Sequence, residues 1–338
     1  MVSAKTNKRK TVKKVKYFAR IFRYRTLLFG SLALFIGIIT FMVVFIVNIP
    51  NLDTDSVDDD ITEVVDDSGA EEITENTDDM GSDSVDDSAE ENKPKLIDYQ
   101  EMIDAWAKTV GGKKGVIIYD LDLDATVGQY NADTKFSTAS LYKLFVVYAG
   151  YEKVQNGEWD GTARAGTTGY DINNCLDLAI RESHSPCAET LWTMLGRQYL
   201  DNVVQSDYGL PGVVVANLSA TPREISQMLK RFYLHNEITD GALIDRMMDS
   251  FLNQPATTYD WRQGLPSGFS DLVKVYNKVG WNYDADRKIW EIYDDAAIVS
   301  FTNENRNYIV VVMTNGIHYS QIRKFATQFE AKFYEASR

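Results

Sequence analysis

The sequence predicts an α/β protein of the α+β type: an antiparallel sheet flanked by terminal helices, with a helical subdomain, preceded by one transmembrane helix. Two observations lead to this fold class. Residues 95–338 read as blocks, first a helix and two strands, then a long helical middle, then three strands and a helix. A charge-free apolar run precedes them. Terminal helices are expected to cover one face of such a sheet and the helical middle the other.

The first 49 residues have the charge pattern of a signal anchor. Residues 1–26 contain ten Lys or Arg and no acid, and residues 27–49 are uncharged and mostly apolar. Roughly 20 apolar residues suffice to cross a bilayer, and a basic flank stays in the cytoplasm. We therefore predict a cytoplasmic tail at 1–26 and a single-pass membrane anchor at 27–49, with the rest of the chain extracellular. A buried core helix is the weaker alternative, because the run has no polar stripe.

Residues 50–94 are predicted to form an acidic disordered linker. Within them, residues 51–92 hold 18 Asp or Glu and no Lys or Arg. Such a segment buries too little apolar surface to offset the entropy of ordering. Solvation of its Asp runs is preferred to metal binding, because their spacing matches no calcium loop. The linker supplies much of the net charge of −14, so the charge says little about substrate, and nucleic acid is not expected as a partner.

The remaining residues, 95–338, are long enough for one domain with a sizeable core. The predicted elements are a helix near 99–109, strands at 114–121 and 126–130, helices from 140 to about 253, strands at 272–279, 296–302 and 308–314, and a helix from 319 to about 336. The two cysteines, Cys175 and Cys187, are expected to form a disulfide outside the membrane, with two small buried residues as the alternative.

A serine and a lysine, Ser140 and Lys143, stand three residues apart at the start of a predicted helix. Thr138 is predicted to cap that helix, and residues three apart share a helix face. A serine needs a base to act as a nucleophile, and a desolvated lysine amine can serve as one. Backbone N–H groups at the start of a helix suit an oxyanion. Alone, this pattern is weak, and the alternative is a surface lysine on a core helix.

Two further motifs follow in order. The tripeptide Ser-His-Ser at 183–185 separates two predicted helices, and Lys-Val-Gly-Trp at 278–281 ends a predicted strand. Together the three motifs resemble those of the class A β-lactamase and penicillin-recognising serine hydrolase family, which are Ser-x-x-Lys, Ser-Asp-Asn and Lys-Thr-Gly. The flanking stretches 119–122, 130–133, 264–266 and 294–299 also resemble the family. The resemblance covers roughly residues 116–314.

The resemblance implies a serine hydrolase that needs no metal and no organic cofactor. Ser140 would be the acylated nucleophile, Lys143 its base partner and Ser183 the proton relay to the leaving nitrogen. Lys278 would hold the substrate carboxylate, and the N–H groups of Ser140 and Trp281 would form the oxyanion hole. The remaining substrate-binding positions are Ser185 and Gly280.

Three departures from the family motifs bear on the expected activity. Ser185 stands where the family has an asparagine amide, and Val279 lacks the threonine hydroxyl; each loss should weaken substrate binding by about 1 kcal/mol. The family's β-lactamases carry a water-activating glutamate in a loop for which this chain has residues 211–220, without an acid. Asp207, just upstream, is a weak substitute. Acylation is therefore expected to proceed and deacylation to be slow.

The expected function is that of an extracytoplasmic serine hydrolase acting on β-lactams or D-Ala-D-Ala-type cell-wall peptides through an acyl-serine intermediate. The alternative from another class is a non-catalytic peptidoglycan-binding or sensor domain that reuses the fold. A third hypothesis is a hydrolase of another ester or amide in which His184 transfers the proton. A structural histidine is the plainer interpretation of that residue.

Overall fold

The computed structural model describes residues 94–254 and 261–337. The predicted cytoplasmic tail, the membrane anchor and all but the last residue of the predicted linker lie outside the described residues. Within the described ranges, no helix combines the length and the apolar composition needed to cross a membrane.

A five-stranded antiparallel sheet combines strands from both ends of the domain. Its strands are β1 (Lys113–Asp120), β2 (Ala125–Tyr130), β5 (Val273–Asp284), β6 (Ile289–Phe301) and β7 (Arg306–Asn315). Their order across the sheet is β2-β1-β7-β6-β5. Two short strands, β3 (Phe136–Ser137) and β4 (Ser219–Ala220), pair with each other separately. Because β1 pairs with β7, the chain between β2 and β5 is an insertion that need not contribute to this sheet.

The described helices follow the predicted order. They are α1 (Gln100–Thr109), α2 (Lys143–Gln155), α3 (Ile172–Arg181), α4 (Ser185–Leu195), α5 (Arg197–Asn202), α6 (Pro222–Leu234), α7 (Gly241–Leu252) and α8 (Tyr319–Ala336). The start of α6 is set by its local sequence. Thr221 is the N-cap and forms a reciprocal capping box with Glu224, and Pro222 occupies the first helical position. The α+β class and the helical middle are thus confirmed.

The sheet separates two hydrophobic cores, because successive side chains of a strand point to opposite faces. On β7, Ile309, Val311 and Met313 pack with the helical middle. Tyr308, Val310 and Val312 on the same strand pack with the terminal helices α1 and α8. The predicted layering is therefore confirmed: terminal helices lie on one face of the sheet and the inserted helices on the other.

The β5–β6 hairpin is longer than predicted. We expected strands at 272–279 and 296–302, whereas β5 continues to Asp284 and β6 begins at Ile289. The extra residues alternate polar and aromatic side chains, and the rings of Trp281, Tyr283 and Trp290 pack together across the pair. Cross-strand aromatic contacts of this kind stabilise a sheet, so the hairpin extends past the strand end predicted from Val279 and Gly280.

Candidate functional site

Ser140 lies on a 3₁₀ turn, Ala139–Tyr142, that leads directly into α2. The prediction that Thr138 caps the helix is wrong, because its side chain makes no capping bond and its backbone is already helical. Its backbone N–H instead donates to the carbonyl oxygen of Leu218 at 2.8 Å. The turn is thus held by the chain just before α6, and Ser140 stays partly exposed.

Strand β5 packs against this turn at Gly280. A Cβ atom at Gly280 would lie 2.4 Å from the carbonyl oxygen of Thr138 and 3.0 Å from a side-chain carbon of Leu141. A glycine is required wherever backbones approach this closely. Because Gly280 has no side chain, the motif at 278–281 can lie beside the turn that carries Ser140.

The amine of Lys143 is buried beneath the loop between α3 and α4. It donates to the carbonyl oxygen of Ser183 at 2.5 Å and to the hydroxyl oxygens of Ser185 at 3.1 Å and Ser183 at 3.3 Å. Burial lowers the pKa of Lys143 to about 8, and the negative charge of Glu189 opposes that shift. A substantial fraction of the amine is therefore neutral at moderately alkaline pH, and the neutral form is the one that can accept a proton.

A second buried amine, that of Lys278, reaches the same serine from the other side. It donates to the Ser183 hydroxyl oxygen at 2.9 Å and to the carbonyl oxygen of Val279 at 2.8 Å. Burial, followed by the charge of Lys143, lowers the pKa of Lys278 well below its usual range, while Asp295 raises it. Because the Ser183 oxygen accepts from two amines, its own proton is free to be given to a third group.

The loop that carries Ser183 is held in place by a disulfide between α3 and α4 and by a helix cap on α4. Ser183 has φ +53°, a conformation that non-glycine residues adopt only when their surroundings impose it. Cys175 on α3 and Cys187 on α4 are joined by a disulfide whose Cα atoms are 4.9 Å apart. The N–H of Cys187 also donates to Nδ1 of His184 at 3.3 Å, so His184 caps α4. This bond gives His184 a structural role.

A buried carboxylate pair lies behind Lys278 and was not anticipated as part of the site. Asp295 accepts from the side chain of Asn277 at 3.0 Å and from the N–H of Leu265 at 2.7 Å. Burial raises the pKa of Asp295 to about 7 and raises that of Asp294 well above its usual range. The two acids and Leu265 belong to the stretches 264–266 and 294–299, whose resemblance to the family did not by itself indicate a buried pair of acids.

The segment 211–220 borders the Ser140 turn without bringing an acid to it. Leu218 contacts Thr138 as described, and the nearby acids are engaged elsewhere. Glu224 forms an ion pair with Lys135 at 2.7 Å. Asp207 is exposed and accepts from the hydroxyl of Ser206 at 2.5 Å. Within the described ranges, neither Asp207 nor Glu224 makes a contact with Ser140.

Trp281 joins the site to an aromatic cluster at the start of α8. Its ring stacks on Tyr319, with centroids 5.4 Å apart and planes at 11°. Tyr293 and Trp290 pack edge-on to the same indole. This packing holds the Trp281 side chain against β6 and the start of α8.

The arrangement combines a partly exposed serine, two buried amines and a hydroxyl that both amines contact. These are the parts that acyl transfer needs: a nucleophile, a base of lowered pKa and a proton relay. In the described part of the chain, no three His, Cys, Asp or Glu side chains are grouped so that they could hold a metal ion.

The comparisons with known proteins concern the family and the fold. The family model described as "Beta-lactamase enzyme family" matches residues 98–336. Among solved structures, PBP-A has a TM-score of 0.60 at 18% identity, covering 72% of this chain and 100% of its own. A β-lactamase from Chitinophaga pinensis has a TM-score of 0.59 at 14% identity, covering 70% and 98%. A class A β-lactamase from Bacteroides cellulosilyticus has 0.59 at 17%, covering 70% and 96%. No curated protein sequence matches significantly.

Proposed function

The chain belongs to the beta-lactamase enzyme family, and from this premise we propose that it is a membrane-anchored extracytoplasmic serine hydrolase working through an acyl-Ser140 intermediate. Its substrates are β-lactams or the acyl-D-Ala-D-Ala ends of cell-wall peptides. The observation that carries the proposal is the position of the Ser183 hydroxyl between the amines of Lys143 and Lys278.

In the proposed reaction, the oxygen of Ser140 attacks the substrate carbonyl carbon and its proton passes to the neutral amine of Lys143. The N–H groups of Ser140 and Trp281 donate to the oxyanion. The carbon–nitrogen bond then breaks as Ser183 gives its proton to the leaving nitrogen, and Lys143 returns a proton to Ser183 across 3.3 Å. Lys278 pairs with the substrate carboxylate, which favours the charged form of its amine.

We expect the acyl-enzyme to be hydrolysed slowly. Hydrolysis needs a base positioned to activate water, and the segment 211–220 beside the Ser140 turn contains no acid. The contacts of Asp207 and Glu224 support the same expectation, because both carboxylates are engaged away from the serine.

Mass spectrometry of the full-length chain incubated with benzylpenicillin tests the proposal. A persistent adduct mapped to Ser140 is expected, with none in Ser140→Ala. Rapid loss of the adduct with product accumulation would contradict slow deacylation while leaving the hydrolase assignment intact. No adduct at any time would contradict the hydrolase assignment itself.

A second candidate function is a non-catalytic peptidoglycan-binding or sensor domain. It is favoured by Ser185, whose hydroxyl is already engaged by Lys143, and by Val279, which has no hydroxyl to offer a substrate carboxylate. Tight binding of a cell-wall peptide by both the parent and Ser140→Ala, without turnover by either, would support this candidate over the hydrolase.

The proposed location is the outer side of the cell membrane, with residues 27–49 as the anchor and the amino terminus in the cytoplasm. The basic flank and apolar run support it, as does the disulfide, which is typical of oxidising compartments. Protease added to intact cells is expected to digest the domain from outside. A domain protected until the cells are lysed would contradict this orientation.

A further inference from the structure

Glu189 is a carboxylate on α4 that lies at the rim of the site. It follows Ser185 by four residues and therefore shares a helix face with it. Its Oε1 accepts a hydrogen bond from the hydroxyl of Tyr142 at 2.7 Å, and its Oε2 lies 3.5 Å from the guanidinium of Arg197. Its side chain is 48% exposed. Glu189 is thus a carboxylate held in place by two partners while remaining in contact with solvent.

Tyr142, which Glu189 holds, stands in the chain between the nucleophile and its base. The amine of Lys143 lies 5.8 Å from the centroid of the Tyr142 ring, within range of a cation–π attraction. The ring of Tyr142 also packs against that of Trp192, with centroids 5.1 Å apart. The guanidinium of Arg197 lies over Trp192 at 4.3 Å. Glu189 therefore closes a cluster that packs directly against the turn bearing Ser140.

The other charged groups around Lys143 cannot play the same part. Lys278, from β5, is a second amine rather than an anion, and the charge of Lys143 lowers the pKa of Lys278. Asp177, on α3, is engaged by the hydroxyl of Tyr151 at 2.8 Å and by Arg246 at 2.6 Å. The segment 211–220 brings no acid. In the described part of the chain, Glu189 is the carboxylate whose field counters the desolvation of Lys143.

We propose that Glu189 is a positioning residue for the Ser140–Lys143 pair, acting through the Tyr142 hydroxyl on the geometry of the turn and through its charge on Lys143. This inference rests on the proposed function for its catalytic meaning. The effect of the Glu189 carboxylate on the protonation of Lys143 can, however, be measured without any substrate.

The first test is an NMR titration of the full-length chain in detergent, labelled with ¹³C at the lysine ε-carbon, with Lys143 assigned from Lys143→Met. Because an anion favours the ammonium form, Glu189→Gln is expected to lower the midpoint of Lys143 by about half a pH unit, the size expected of one partly solvated charge. Tyr142→Phe should lower it as well, by releasing Glu189. Glu189→Asp should restore part of the parent value.

The matched control is Glu158→Gln. Glu158 is 51% exposed and pairs with Lys153 at 2.6 Å. Its variant therefore removes a comparable charge and ion pair elsewhere on the surface. Its variant is expected to leave the Lys143 midpoint unchanged. A midpoint that is the same in the parent, Glu189→Gln and Tyr142→Phe, or that moves equally in Glu158→Gln, would overturn the proposal.

The second test follows the acylation of Ser140 by benzylpenicillin from pH 6 to 9 in the same variants. The alkaline rise in rate is expected to move to lower pH in Glu189→Gln, in parallel with the NMR midpoint. The two proposals then fail separately. A parent that is never acylated contradicts the proposed function, whereas the titration still decides whether Glu189 acts on Lys143.

Discussion

Ser183 is the residue at which both buried amines meet. Its oxygen accepts from Lys143 and Lys278, and its backbone adopts φ +53°. A serine side chain with two donors already satisfied can act only as a donor to an incoming group. These contacts favour the Ser183 hydroxyl as the proposed proton donor over the neighbouring His184, which caps α4.

Ser183→Ala is expected to slow acylation of Ser140 by at least about a hundredfold, the usual size of a lost proton-transfer group. Stopped-flow measurement with a chromogenic β-lactam gives the rate, and the thermal midpoint reports on the fold.

Ser185→Ala is the comparison for this prediction, since it also removes a hydroxyl that Lys143 contacts at 3.1 Å but leaves the bridge to Lys278. We expect a much smaller effect on the acylation rate. Equal losses in the two variants would mean that Ser183 matters only as a partner for Lys143.

The positions of Ser140, Lys143, Ser183 and Lys278 were predictable from motifs, whereas their contacts were not. The hydrogen bonds of Ser183 span 40 and 95 residues of chain, and periodicity carries no information over such separations. Glu189 left a faint signal, because it lies four residues after Ser185 on a predicted helix. The proposed effect of its charge on Lys143 depends on the packing of α4 against the turn before α2, which the sequence does not reveal.

At the scale of elements, the site depends on how closely β5 approaches the 3₁₀ turn. The order of the helices and strands was predictable from blocks of apolar residues bounded by turns, although α2, which is buried without a break from Lys143 to Tyr151, shows no apolar period of its own. The 3₁₀ turn and the two-residue strands β3 and β4 were not, because they are fixed by contacts such as the bond from Thr138 to Leu218. Thr138 favours a cap by residue type, and the tertiary contact overrode that preference.

Gly280→Ala should disturb the site through this approach. A methyl group 2.4 Å from a backbone oxygen forces a shift, and overpacking of this kind typically costs about 1–3 kcal/mol. We expect a lower free energy of unfolding in urea, together with slower acylation, because the turn bearing Ser140 must move.

Gly111→Ala provides the control, because a Cβ there would meet no atom within 4 Å. It should leave both the stability and the acylation rate close to those of the parent. A Gly280→Ala variant with unchanged stability and rate would show that the turn yields without effect on the nucleophile.

At the scale of the whole molecule, the buried acids and amines give stability an unusual pH dependence. The pKa of Asp295 is raised to about 7, against roughly 3.9 for an exposed Asp. Its contribution is therefore complete below about pH 4 and is lost as pH rises to 7. Lys143, with its pKa lowered to about 8, acts oppositely: its contribution is complete above about pH 10 and is lost as pH falls through 8.

Asp295→Asn is accordingly expected to flatten the dependence of unfolding free energy on pH between about 4 and 7. It should also lower stability overall, because an amide has one acceptor oxygen where Asp295 accepts from both Asn277 and Leu265. Urea unfolding at several pH values measures both effects. Asp245→Asn, at an exposed position on α7, should keep the parent profile. An unchanged slope in Asp295→Asn would mean that Asp295 is ionised throughout this range.

The disulfide between Cys175 and Cys187 would make the proposed activity depend on the oxidation state of the chain. The bond encloses the loop that presents Ser183 to both amines, and a newly made chain in a reducing cytoplasm would carry two thiols instead. With the location proposed above, the hydrolase activity would develop only after export, when the two thiols are oxidised. Acylation rates of the full-length chain before and after oxidation measure this delay, and equal rates would show that the loop keeps its shape unaided.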